Sequence, residues 1–309
     1  MKNIYEIQRS NKIKSTLIVA LFVVFVAFAT YFLIKALGVY TGYELGGLGF
    51  VGVALIVSGI SSFVGYYFSD QIILGISGAR PANRKKDFLF YTVSENIAIG
   101  AGLPVPKLYV IEDSAPNAFA TGRDPAHSAI CATTGLLSKL TRTELEGVVA
   151  HEMSHIKNYD TRLMSVVSVM VGLVALLGDW LLRANFFGGR KSNSDNDGAN
   201  SVFLIIGIVF AILSPIIGQL IQLAISRRRE FTADAGSVEL TRQPGGLISA
   251  LTKISMDTEA LEVANKATAH LYIASPFKGK KQGKVGWLSG LFNTHPPIFE
   301  RIKTLQSMA

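Results

Sequence analysis

Cysteine is almost absent: Cys131 is the single one in 309 residues. One thiol can neither close an intramolecular disulfide nor build a thiolate metal site, so both are excluded. In its short strand-like run it reads as a small buried apolar residue. Charge is scarce as well. Asp, Glu, Lys and Arg make up 17% of the chain, against about a quarter in ordinary soluble domains. No internal repeat is visible. What replaces charge is apolar surface, 49% of residues, and it is gathered into long runs, the pattern of a membrane protein. The net charge of +8 could suggest nucleic acid, but the cations sit beside the apolar runs, at Lys12 and Lys14, Arg84 to Lys86 and Arg227 to Arg229. They read as membrane flanks, with a bilayer and not nucleic acid as the partner.

Four runs approach the roughly 20 apolar residues that a bilayer core demands of a helix. Thr16 to Leu37 is uncharged until Lys35, and Leu45 to Phe68 is uncharged but glycine-rich. Met164 to Leu182 carries Asp179 near its end, and Val202 to Ile225 carries Pro215, Gln219 and Gln222 in its second half. Those polar positions point to a partner helix or a polar domain and not to lipid; for the last two runs, a buried hairpin in a soluble domain stays open as the alternative. Ala27-Phe28-Ala29 imitates a signal-peptidase site but lies inside its apolar run, so the first segment reads as a retained anchor. Lys2, Arg9, Lys12 and Lys14 precede the first run, Arg80 and Arg84 to Lys86 follow the second, and none lies between Gly38 and Glu44. That asymmetry places the N-terminus and Ser69 to about Leu163 in the cytoplasm. Gly188 to Asn200 reads as an external loop, and Arg227-Arg228-Arg229 returns the chain to the cytoplasmic side. The division is then 1–70 a transmembrane hairpin, 71–163 the first part of a cytoplasmic domain, 164–226 a second hairpin and 227–309 the remainder of that domain.

In the polar part, Asn83 to Ile99 has helical spacing, ended by Gly102, Pro104 and Pro106. Lys107 to Glu112, Asn117 to Thr121 and Ser128 to Thr133 alternate as strands, the last two separated by a Gly122-Arg123-Asp124-Pro125 turn. They predict a small antiparallel sheet beside a helix, in an α+β class. Thr141 and Glu144 fit a capping box opening the next helix. From Pro244 to about His270 the pattern is helical, and Lys278 to Lys284 is a polar linker.

Histidine is rare, five in all, yet two stand four apart in His151-Glu152-Met153-Ser154-His155. On a helix both imidazoles fall on one face and reach a single zinc ion, with Glu152 beside them to work on water. Such a site wants a third protein ligand. Glu230 and Asp234 follow the fourth apolar run, on the same side of the bilayer and four apart; one can bind metal while the other orients a histidine. The polar neighbours Glu144, Glu146, Lys157 and Asn158 exclude a motif buried in lipid, as an intramembrane protease would have. His127 reads as a solvated turn residue. His270 reads as a helix-end residue without chemistry.

Four stretches together resemble the HtpX-like membrane zinc metalloproteases, distant relatives of the CAAX prenyl endopeptidases. They are Ala115-Pro116-Asn117-Ala118-Phe119-Ala120-Thr121-Gly122, the run from His151 to Asp160, Arg228-Arg229-Glu230-Phe231-Thr232-Ala233-Asp234, and Thr294-His295-Pro296-Pro297. Order and spacing match from Thr16 to about Arg301; the departures are Asn293, where the family often has serine, and Phe231 at a variable aromatic position. The resemblance implies a mainly helical integral membrane protein with a cytoplasmic zincin-like (gluzincin) domain. It assigns one Zn2+ to His151, His155 and Glu230, the base and proton donor to Glu152, and support of the first histidine to Asp234. It makes His295 a candidate for stabilising the oxyanion and Asn117, Ala118, Phe119 and Ala120 the strand on which an extended peptide pairs. It further implies peptide substrates, misfolded membrane proteins among them, and quality control under stress at the cell membrane. A catalytically silent membrane chaperone or adaptor is the rival; intact His151, Glu152, His155 and Glu230 argue against it.

Overall fold

A computed structural model describes residues 4–41, 48–172, 227–263, 268–276 and 296–308. The run Val202 to Ile225, most of Met164 to Leu182, the loop Gly188 to Asn200 and His295 lie outside the described residues. Two long helices come first, α1 (Ile4–Thr41) and α2 (Leu48–Tyr67), packed together. The Ser58 hydroxyl of α2 donates to the Val23 carbonyl of α1. Among the described residues no helix is long and apolar enough to cross a membrane; beyond Leu21, only Val23, Val24, Ala27 and Tyr31 of α1 have described side chains.

The short α3 (Ser69–Ile76) leads into β1 (Arg80–Pro81), α4 (Phe88–Ala101) and the strands β2 (Lys107–Ile111), β3 (Ala118–Asp124) and β4 (His127–Thr133). The helix α4 starts later than its apolar spacing suggests. Asn83 Oδ1 accepts from the Lys85 and Lys86 amides and Asp87 from that of Asn83, which holds 83–87 as a turn, the usual competition of short polar side chains with helix. The α4 C-terminus closes on Gly102 at φ 65°, a left-handed cap.

The sheet is mixed, in the order β1-β2-β4-β3, and this corrects the antiparallel sheet read from the sequence. β2 and β4 run parallel, with Leu108 opposite Ile130. The β3–β4 hairpin docks by its second strand, so β4 sits centrally and β3 becomes an edge. Alternation marks a strand and its buried face, but it does not say which neighbour the strand takes.

Beneath the sheet lies α6 (Arg142–Lys157), which follows α5 (Thr134–Lys139). Its capping box is present: the Thr141 amide donates to Glu144 at 2.7 Å, and Glu144 also receives Ser249 and Lys253. After α6, Tyr159 takes φ 59° and a new helix, α7, occupies residues 160–172. Then come α8 (Arg227–Thr241), α9 (Pro244–Met256), one 3-10 turn at Ala269–Leu271 and α10 (Ile298–Gln306). The helix opened by Pro244 thus ends at Met256, short of the expected His270. His270 is not at an α-helix end: it is buried against Ser168 Oγ at 3.1 Å and the Met164 carbonyl.

Two glycines set how closely the helices approach. A Cβ on Gly147 would lie 2.6 Å from the Leu247 amide nitrogen, and one on Gly236 would lie 2.1 Å from Ser154 Oγ. Both positions let α8 and α9 lie directly on α6, and the Ser237 hydroxyl donates to the Gly147 carbonyl at 2.8 Å. The main core fills the space between, with Val93, Ile130, Leu145, Val149, Met153 and Leu251 among its buried residues.

Candidate metal centre

The site lies where α6 crosses α8. His151 and His155, one turn apart on α6, and Glu230, in the first turn of α8, are all buried. Their donor atoms fall within 4.8 Å of one another. His151 Nε2 is 3.2 Å from His155 Nε2, and Glu230 lies 3.7 and 3.5 Å from the two rings. Nitrogen and oxygen ligands about 2.0–2.1 Å from a tetrahedral zinc stand about 3.3 Å apart. The donor set and its size therefore fit a zinc-sized cation, and among the described residues it is the one such group of three or more.

Each imidazole has its own carboxylate behind it. His151 Nδ1 lies 3.0 Å from Asp234 Oδ1, and His155 Nδ1 lies 3.1 Å from Asp160 Oδ2. An Nδ1–H donated to a carboxylate leaves Nε2 as the lone-pair donor that a metal needs. Asp234 in turn accepts two bonds from Arg301 of α10, at 2.6 and 2.9 Å. Arg301 is fully buried and also stands 3.3 Å from Glu230 Oε2. Asp160 accepts from Asn11 Nδ2 of α1 at 2.8 Å and lies 3.6 Å from Arg229.

These surroundings set the charges. Burial and the Arg301 cation push His151 down to about 4. Burial also opposes a charge on His155, but the Asp160 hydrogen bond and the Glu230 and Glu152 carboxylates outweigh it and raise the ring to about 9. Glu152, between the histidines in sequence and wholly buried, is raised to about 7 by burial, with Glu230 adding to the rise, while His155, Arg301 and the Ala120 amide hold it back. A carboxyl poised near neutrality suits a group that must take up a proton and release it. Asp234 stays below its ordinary range despite burial, because Arg301 and His151 favour its anion.

A model of peptidase family M48 matches residues 90–309. The chain belongs to peptidase family M48. Curated relatives agree along the whole length: the protease HtpX homolog of Caldanaerobacter subterraneus subsp. tengcongensis is 41% identical over 99% of this chain and 98% of its own, and that of Dictyoglomus thermophilum is 43% identical over 98% and 94%. The crystal structure of S. mikatae Ste24p aligns with 97% of this chain and 67% of its own at 21% identity, with a TM-score of 0.47. Family membership makes this M48 chain a metalloprotease, and the His151, His155 and Glu230 cluster is its candidate metal centre.

Asp234 stands beside His151, the first of the two histidines. Asn117 to Ala120 lie on or next to the edge strand β3: Asn117 precedes it, and Ala118, Phe119 and Ala120 are its first three residues. Three contributors carried no local signal. Asp160 is five residues past His155, off the helical face of the motif, and returns to it only because the left-handed Tyr159 turns the chain. Arg301 is 150 positions from His151 and 67 from Asp234. Asn11 lies in the polar lead of the first apolar helix. His127 is exposed and pairs with Asp124 at 2.8 Å, away from the centre.

Proposed function

We propose that this M48 metalloprotease is a zinc endopeptidase anchored in the cell membrane, with its site on the cytoplasmic face. The observation that carries the reading is the buried donor triad at zinc-ligand separations with Glu152 next to it. When bound, zinc supplies Lewis acidity toward a peptide carbonyl and the water that attacks it. Glu152 takes the proton from that water and delivers it to the departing amine, a role for which a carboxyl near 7 is matched. Asp234 and Asp160 hold His151 and His155 in the orientation and tautomer that ligation demands. His295 is the proposed additional donor to the oxyanion, and Asn117 to Ala120 the strand that meets an extended peptide.

The membrane reading rests on α1 and α2. Leu17, Leu21, Val24, Leu55, Ile56, Ile60 and Phe63 each expose more than two-fifths of their surface, large apolar side chains that water does not favour. The apolar run 16–37 lies on α1 and residues 48–67 of the second run form α2, and in this reading a bilayer absorbs their exposed apolar side chains. Lysine and arginine before the first run and after the second support cytoplasmic placement. The third and fourth runs complete a four-span anchor in this reading. Backbone recognition of extended chain is sequence-tolerant, which suits unfolded membrane proteins as substrates and a role in their quality control.

The test uses the purified full chain and a Glu152→Gln variant on an unfolded protein substrate, with bound metal measured in both. The parent should carry one zinc and cleave; the variant should keep the zinc and cleave at least 100-fold more slowly, the low end of general-base contributions. Equal cleavage by the two, or a metal-free parent that still cleaves, defeats the reading.

A further inference from the structure

The outer edge of β3 is already filled. Asn117 turns its backbone carbonyl toward β4, where it accepts from the Thr133 amide at 3.0 Å. Backbone groups alternate along a strand, so Ala118 and Ala120 face outward. The Ala118 carbonyl accepts the Ile273 amide at 2.9 Å. The Asn117 side chain grips the next residue from both sides, donating to the Ala274 carbonyl at 3.0 Å and accepting its amide at 3.4 Å. The Ile273 carbonyl accepts from Arg301 Nη1 at 3.0 Å, and that same nitrogen stands 3.3 Å from the metal-ligand candidate Glu230. The Ala120 amide faces the Glu152 carboxylate.

Four consecutive backbone groups of Ile273 and Ala274 are thus held by an edge-strand carbonyl, a carboxamide and a guanidinium, one side chain away from the candidate metal centre. This is how an enzyme holds a peptide, by main-chain bonds to a sheet edge with a fixed cation on a carbonyl. We propose that the chain's own Tyr272–Ala274 is a resident occupant of the edge that the reading above gives to the substrate, held there by a clamp of Asn117, Ala118 and Arg301, and that a substrate must displace it. The inference rests on the peptidase reading above and adds to it the segment of the chain that competes with substrate for that edge. Segment Thr268 to Ala274 is buried throughout, and Tyr272 packs edge-on against Phe119 at 5.1 Å. That anchor holds the segment without touching the clamp.

The occupant predicts competition. Amide hydrogen exchange is followed in the full, zinc-loaded chain in detergent, with and without a saturating peptide hydroxamate. In the free protein the amides of 271–274 should be protected. With the hydroxamate bound, their exchange should rise at least tenfold while the amides of 117–120 stay protected. An inhibitory hydroxamate that leaves 271–274 unchanged overturns the proposal and makes the segment a fixed wall. A chain that holds no zinc and cleaves nothing defeats the peptidase reading itself, and the clamp with it. Tyr272→Leu gives a second measure: weakening the anchor should lower KM for an unfolded substrate several-fold with kcat little changed. A fall in kcat/KM in step with lost zinc would mark Tyr272 as structural only and count against the occupant. The exchange measurement on the parent chain stands whether or not this variant folds.

Discussion

The two imidazoles at the centre stand on different supports. Behind His151, Asp234 and Arg301 form a closed unit: both are fully buried, the guanidinium makes two bonds to the carboxylate, and it also reaches Glu230. Behind His155, Asp160 meets an amide from α1 and a more distant arginine, Arg229 at 3.6 Å. The first support belongs wholly to the two C-terminal helices α8 and α10. The second crosses to the N-terminal helix that carries the first apolar run. The contrast separates what builds the metal centre from what ties it to the N-terminal helix α1.

The largest effect should come from breaking the closed unit. Asp234→Ala leaves the Arg301 cation buried beside a metal ligand without its two carboxylate bonds. Removing one partner of a buried ion pair costs about 3–5 kcal/mol. The same change frees His151 to rotate, so the variant should lose its metal and unfold at lower temperature. Metal content after dialysis and a thermal melt test this; a variant that retains zinc with an unchanged melt would show that Arg301 and Asp234 are not coupled to the ligands. Arg301→Lys keeps the charge but cannot bridge Asp234, Glu230 and the Ile273 carbonyl together. It should retain more stability than Arg301→Ala while still losing zinc affinity.

Next in size is Asp160→Ala. A carboxylate behind a ligand histidine is worth about 10–100-fold in metal affinity, and less stability is at stake because Asp160 lacks the two-bond arginine partner that Asp234 has. Chelator competition on the full chain should show affinity falling by that factor with the fold intact. An affinity loss greater than that of Asp234→Ala would reverse the ranking of the two supports.

How much of this was readable from sequence divides along the same line. The two histidines, Glu152 and the α6 capping box are local, fixed by spacing within a few residues, and helical geometry alone puts them on one helix. Glu230 and Asp234 needed more than local spacing: the sequence reading expected two crossings to return them to the motif's side, and the structure sets Glu230 3.5 Å from His155 and Asp234 3.0 Å from His151. Arg301 is different in kind. It is one cation in an amphipathic terminal helix, and its partners lie in α6, α8 and the segment at Ile273, so only the packed structure brings them together. The sheet shows the same limit. Its strands were visible in the alternation around Lys107, Asn117 and Ser128, whereas the parallel pairing of β2 with β4 depends on which side of the hairpin docks.

The opposed charges of the two rings sharpen the comparison through pH. With His151 pushed down to about 4 and His155 raised to about 9, the metal-free protein at pH 7 holds a neutral first ring and a protonated second. Metal must displace the His155 proton, so apparent zinc affinity should rise with pH, up to tenfold per unit below about 9, and level off above it. Titration of zinc into buffers of different ionisation enthalpy should count about one proton released at pH 7. In Asp160→Ala the raised value collapses, since its hydrogen bond is the leading contribution that lifts it, and both the slope and the proton release should shrink. No change in either would mean that His155 is not the proton-bearing ring.

The smallest effect tests the tie to α1. Asn11 is buried on α1, donates to Asp160 Oδ1 at 2.8 Å and to the Asn158 carbonyl at 2.9 Å, and is reinforced one turn earlier by Gln8, which donates to the Lys157 carbonyl at 2.9 Å. Asn11→Ala removes the donor from a carbonyl, worth about 1 kcal/mol, and from a carboxylate, worth about 1.5–3 kcal/mol. Asp160 keeps its bond to His155, so zinc should weaken only a few-fold. Asn11→Asp should do more, because it sets a second carboxylate against Asp160 in a buried place. The order parent, Asn11→Ala, Asn11→Asp in zinc affinity would show that the first apolar helix bears on the metal centre through Asp160. Identical affinities in all three would show that α1 does not bear on the metal centre and leave the second support, like the first, a matter of the residues around Asp160 alone.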